Sequence, residues 1–174
     1  MKVEKLFHHR GGVGDNDLLD SIKQAVAQEK FTDEYVKDGT LEKIFSDLGF
    51  SQEYVVWNKG QKKLKISGKK ETIGLIIWFG NQHYSFKHFI ALQLLFKRKE
   101  ITRAIYITST KIETITRNRL TSLNKGRPDP GSSTRNYSEF ESLRDFLEGA
   151  GDGIDVPITV IGISEETTSP NPFF

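Results

Sequence analysis

The chain has 174 residues and 36% hydrophobic content, enough for one core and too little for two comfortable domains, so one domain is expected over 1–166 with a tail at 167–174. Cysteine is absent, which excludes disulfides, cysteine zinc sites and thiol nucleophiles, and no apolar stretch has the length of a membrane span or the form of a secretion signal, so a cytoplasmic protein is expected. The net charge of +2 hides a partition: Val55 to Asn136 carries 17 Lys or Arg against 4 Asp or Glu, and the two ends together are 11 negative, which points to nucleic acid as the partner.

The opening Met-Lys-Val-Glu suits a strand. Asp15 and Asn16 can cap a helix in which Leu18, Leu19, Ile22, Ala25 and Val26 recur at helical spacing. A second helix is predicted with Thr40 as N-cap and Glu42 in its first turn. It buries Leu41, Ile44, Phe45 and Leu48 and stops at Gly49. Three runs rich in β-formers follow, Tyr54 to Trp57, Leu64 to Ile66 and Ile73 to Phe79, separated by turn-like Asn-Lys-Gly-Gln and Ser-Gly-Lys-Lys; they predict a three-stranded meander. The third run is apolar on both faces and is expected mid-sheet.

Tyr84 to Arg98 predicts a helix with Phe86, Phe89, Ile90 and Leu94 inward. Ala104 to Thr108 predicts a strand, Ile112 to Leu120 a short helix and Asn124 to Asn136 a loop. Tyr137 to Gly149 predicts a helix burying Phe140, Leu143, Phe146 and Leu147, and Val156 to Ser164 a closing strand. Together these elements describe an α/β protein with a mixed sheet flanked by helices.

Lys59, Lys62, Lys63, Lys65, Lys69 and Lys70 fall in the first two strands and turns of the meander. Lysine there can simply guard an edge strand. Phosphate contact is the second reading, and Arg103, Lys111, Arg117, Arg119, Lys125, Arg127 and Arg135 favour it. The loop Gly126 to Asn136 carries hydroxyl, guanidinium and amide groups of the kind that read base edges. His83 and His88 are five apart and do not share a helix face as metal ligands would, His8 and His9 suit exposed imidazoles, and Gly11-Gly-Val-Gly14 lacks the Lys-Ser/Thr of a phosphate loop.

Leu75-Ile-Ile-Trp-Phe-Gly-Asn-Gln-His-Tyr-Ser-Phe86, the helix after it and the strand Ala104-Ile-Tyr-Ile-Thr108 resemble the core of type II restriction endonucleases of the BglII and BstYI kind. Gly131-Ser-Ser through Tyr137, the helix with Phe140 and Leu143, and Asp155 to Ile163 resemble that family's recognition loop, helix and closing strand in the same order. The resemblance implies a restriction-endonuclease-like fold, action on duplex DNA at palindromes containing GATC, homodimers, and Mg²⁺ held by an Asp on one strand and a Glu-x-Gln pair on the next. Here the Asp position falls near Ser67, the Glu position at Ile76 and the Gln position at Trp78. None supplies a carboxylate.

By the same resemblance Asn81, Gln82 and His83 are rival base-reading candidates after Phe-Gly, and Ser132 and Ser133 match the serine-bearing loop beside Arg135 and Asn136. The expectation is a DNA-binding protein of nuclease fold that has lost cleavage and needs no cofactor. Two alternatives stand beside it. One is an active Mg²⁺-dependent nuclease using Glu71, Glu100 or Glu113; the other is a non-catalytic subunit pairing with an active nuclease as a heterodimer.

Overall fold

The computed structural model describes residues 1–12, 14, 16–28, 39–60, 62–111, 113, 122, 126, 138–149 and 152–164. Its elements run β1 (Lys2–His9), α1 (Asn16–Gln28), α2 (Thr40–Asp47), β2 (Tyr54–Lys59), β3 (Lys62–Ile66), β4 (Gly68–Lys70), β5 (Ile73–Ile77), a 3-10 turn (Gln82–Tyr84), α3 (Ser85–Lys97), β6 (Arg103–Ser109), α4 (Phe140–Gly149) and β7 (Ile158–Ser164). A five-stranded sheet has the order β1-β7-β6-β5-β4, and β2 and β3 form a separate two-stranded ribbon. The three inner strands are parallel, and the two edge strands pair antiparallel.

Helices cover both faces of this sheet. Leu19, Ile22 and Val26 of α1 and Leu41, Ile44 and Phe45 of α2 pack on Leu75, Ile105, Ile107, Ile161 and Ile163. Phe89, Leu92 and Leu95 of α3 and Leu143 and Leu147 of α4 pack on the alternate residues Ile76, Ala104, Tyr106, Ile158 and Val160. Every residue of β7 is therefore buried, while β1 at the edge alternates in exposure. Each such Leu or Ile adds roughly 1.5–3 kcal/mol by leaving water.

Several expectations need correction. The three-stranded meander is absent, because the chain leaves the ribbon at Ser67 and the predicted turn Ser-Gly-Lys-Lys contributes the edge strand β4 instead. Gly68 makes the crossing possible: a Cβ there would lie 2.2 Å from the Ser51 carbonyl oxygen. β5 lies inside the sheet as expected, between β6 and the edge strand β4. Thr40 is the first residue of α2; Gly39, at φ 78°, precedes it without a side-chain cap.

The inward face of α3 is also turned from the prediction. Phe89, Ala91, Leu92 and Leu95 are buried, whereas Phe86 and Ile90 are 49% and 56% exposed. The intervening 3-10 turn sets the phase of the helix, which periodicity alone does not reveal. His9 is buried, with Nε2 2.9 Å from the Ile154 carbonyl, and is not the exposed imidazole expected, whereas His8 is exposed as expected, its Nδ1 2.9 Å from Thr159 Oγ1. Of the helix predicted at Ile112 to Leu120 only Glu113 is among the described residues, and the tail at 167–174 lies outside them.

Candidate nucleic-acid interface

Parallel strands deliver their carboxyl ends to one side of a sheet, where α/β proteins build their sites. Here that side gathers Trp78 to His83 after β5 and Ser109 to Lys111 after β6. It also holds Ser138, whose N–H donates to the Gly80 carbonyl at 2.7 Å. The segment that leaves after Lys111 thus returns beside Asn81. Arg127, Ser132, Ser133, Arg135 and Asn136 lie within it and outside the described residues.

Asn81 caps the 3-10 turn. Its Oδ1 accepts from the His83 N–H at 2.9 Å, and its carbonyl accepts from the Trp78 indole at 3.0 Å. Asn81 and His83 are exposed and Gln82 is half-buried, so the three candidates share one short turn at the sheet end.

The positions of Ser67 and Ile76 meet across the β4–β5 ladder. Gly68 pairs with Leu75, the Ser67 N–H donates to the Leu75 carbonyl at 2.9 Å, and Ser67 Oγ accepts from the Ile77 N–H at 2.8 Å. Ile76 is 1% exposed within the α3-side core. Trp78 is held edge-on by Tyr84 and His88, with ring centroids 5.8 and 5.0 Å away. A hydroxyl, an aliphatic chain in the core and an indole N–H already engaged do not make a divalent-cation site. Among the described residues no group of three or more His, Asp or Glu could hold a metal ion. These three positions thus do not supply ligands for the Mg²⁺ that the resemblance implies.

A cavity of about 450 Å³ opens beside Ser67, lined by Phe45, Ser51, Gln52, Leu75, Ile77, Trp78 and His88 together with Glu42, Glu53 and Lys65. Glu53 is ion-paired with Lys65. Neither acid is a site candidate in the sequence, because Glu42 arrives from α2 and Glu53 from the approach to β2, and no local spacing links either to Ser67. Glu71, Glu100 and Glu113 lie elsewhere. Glu71, at φ 48°, is in the β4–β5 turn, at the end of the hairpin away from Ser67 and Ile76. Glu100 accepts from the Tyr54 hydroxyl at 2.8 Å near the start of β6, which pairs with the start of β5. Glu113 is buried beyond the end of β6, its N–H donating to Thr110 Oγ1 at 3.3 Å.

A polar chain runs beneath Trp78. His88 Nδ1 lies 3.2 Å from the Tyr106 hydroxyl, which donates to Ser85 Oγ at 3.2 Å, and Ser85 Oγ donates to Ser138 Oγ at 3.2 Å. Burial, with help from Lys87, lowers the His88 pKa to about 4, so the imidazole is neutral near pH 7. Burial likewise raises the Tyr106 pKa. The chain holds Trp78 and the return point at Ser138 to one scaffold.

The lysines divide into two groups. Lys59, Lys62, Lys63 and Lys65 are exposed on the β2–β3 ribbon. Lys70 instead donates to the Leu48 carbonyl at 2.8 Å, where it stabilises the C-terminus of α2, and Lys69 Nζ lies 5.6 Å from the Tyr54 ring centroid. Those two make contacts within the fold.

Known proteins give a consistent picture. The chain is similar to the crystal structure of restriction endonuclease BglII complexed with a DNA 16-mer, at TM-score 0.69 and 14% identity, over 97% of this chain and 79% of that one. At that identity the likeness establishes the restriction-endonuclease-like fold. No curated protein sequence matches significantly. The family model described as restriction endonuclease BglII/BglIII matches residues 8–163, and the chain belongs to that family.

Proposed function

We propose that this protein binds duplex DNA sequence-specifically as a two-fold dimer and does not cleave it by the metal-dependent route of its family. The observation that carries this reading is the pairing around Ser67 and Ile76: by the resemblance these positions stand where the family holds carboxylates, and here they are a hydroxyl and a core side chain. Lys59, Lys62, Lys63 and Lys65 supply phosphate contacts. Asn81, with Gln82 and His83 beside it, reads base edges together with Arg127, Ser132, Ser133, Arg135 and Asn136. The BglII structure's bound DNA 16-mer supports a duplex partner. Exposed Phe86 and Ile90, one turn apart on α3, with Phe86 packed edge-on against Phe146 of α4, supply an apolar face for pairing with a second copy.

Gel-shift titration in EDTA and incubation of plasmid with Mg²⁺ or Mn²⁺ test the proposal together. Retarded duplex in EDTA and intact plasmid in either metal are expected. The absence of retardation removes the DNA reading. Fragments that disappear in Glu42→Gln or Glu53→Gln would assign cleavage to the acids of the cavity and overturn the loss of activity. Fragments that appear only after mixing with a second nuclease subunit would favour the heterodimer.

A further inference from the structure

We propose that the β2–β3 ribbon enters the major groove of the bound duplex tip first, with lysines on its two faces directed at the two phosphate walls. This inference rests on the duplex-binding reading and specifies how the basic surface is used. The ribbon pairs Lys59 with Lys62, Asn58 with Lys63, Trp57 with Leu64 and Val55 with Lys65, with a register shift between Val55 and Trp57. Residues directly opposite share a face, and faces alternate along a strand. Trp57, Lys59 and Lys62 therefore lie on one face and Asn58, Lys63 and Lys65 on the other.

This placement is costly for a ribbon that only faces water. Lys59 and Lys62 stand directly opposite one another, an arrangement in which like charges repel. Guarding an edge requires no such opposed pair, whereas a surrounding polyanion removes the repulsion. Cations on both faces are also wasted on a surface laid flat along one phosphate backbone. They suit a groove, which has phosphates on either side. Strands spaced about 4.8 Å apart form a ribbon that the major groove, about 12 Å wide, admits, and the minor groove, about 6 Å wide, does not.

The base of the ribbon is fixed while its tip is bare. Val56 and Ile66 are 5% and 2% exposed in the α3-side core, and Arg98 donates to the Val56 carbonyl at 2.8 Å. Lys65 is paired with Glu53 near that base. Beyond it Asn58, Lys59, Lys62 and Lys63 are exposed, and Trp57 leaves 42% of its surface in water. An anchored root and a cationic tip together fit insertion between two phosphate walls.

The test uses an end-labelled duplex selected from a random-sequence pool by retention on the wild-type protein. Dimethyl sulfate then reports guanine N7 in the major groove and adenine N3 in the minor groove. Wild type is expected to protect a patch of guanine N7 that becomes reactive with Lys59→Ala/Lys62→Ala/Lys63→Ala, while the rest of the footprint remains. The slope of log affinity against log salt should fall by roughly 2 to 3, at about 0.9 per phosphate contact. Trp57→Ala, which removes no cation, should leave the slope unchanged. An identical N7 pattern in wild type and the triple variant, or ribbon-dependent protection at adenine N3 alone, overturns the inference and leaves duplex binding standing. Recovery of no duplex by the wild-type protein overturns both. Should the triple variant fail to fold, Lys63→Ala alone reads out the same patch, with a slope change of about 1 expected.

Discussion

Ile76 is a strand residue on which fold and chemistry make opposite demands. Its side chain belongs to the core cluster that includes residues of α3 and β6, so an aliphatic group serves packing there and a carboxylate would need a partner. Ile76→Ala is expected to cost about 2–5 kcal/mol in urea unfolding, since it empties a closed site. A cost well below 1 kcal/mol would show that the position is not the core residue described. His88 carries the pH dependence. Its folded pKa of about 4 lies below the ordinary 6.5, so the unfolded chain binds more protons between those values. Its contribution is complete above pH 6.5 and is lost as pH falls towards 4, on the order of 3 kcal/mol in all. Unfolding curves from pH 7 to 4.5 should show this decline, and His88→Asn should flatten it. Burial opposes ionisation of Glu141, yet the Lys5 ammonium and the Lys111 N–H outweigh it and hold its pKa below the ordinary value, so its loss comes at lower pH.

At the scale of elements, α3 has one face in the core and carries a second apolar patch that the described chain leaves open. Phe86 and Ile90 belong to that patch, and burying it against a second copy removes the cost of exposing it. Ile90→Glu is expected to convert a dimer to a monomer by light scattering with helix content unchanged. A monomeric mass for the wild type would remove two-fold pairing. The patch was hidden in the sequence, where Phe86 and Ile90 share the spacing of the core residues Phe89 and Leu92. Apolar residues around most of the helix leave no stripe to identify the inward side. The β2–β3 ribbon was half legible. Its strands follow from composition, but its separation from the sheet depends on Ser67 Oγ taking the Ile77 N–H and on the close approach of Gly68 to Ser51.

For the molecule as a whole, the charge partition becomes a matter of placement. The 17 cations of the middle segment include Lys69 and Lys70, which attend to the fold, and four lysines that project on the ribbon. Binding that uses the ribbon and the sheet end together should make about 6 or more phosphate contacts. Duplex affinity is then expected to fall roughly 10³-fold or more between 50 and 200 mM salt in gel shifts, and a flat salt profile would contradict the electrostatic footprint. Among the described residues no helix is long and apolar enough to cross a membrane.

The sequence by itself determined the helices and strands whose periodicity is unambiguous and the family resemblance, from which comes the expectation that Ser67, Ile76 and Trp78 stand where the family has carboxylate or amide. These are properties of local pattern, carried by residues near one another in the chain. Tertiary structure alone decided that Ser67 faces Ile76, that Glu42 and Glu53 reach the cavity while Glu71 and Glu100 lie elsewhere, and that Lys70 caps a helix while Lys59 opposes Lys62. Those facts depend on strand register and on contacts between distant segments, which are set by packing the whole chain into one core.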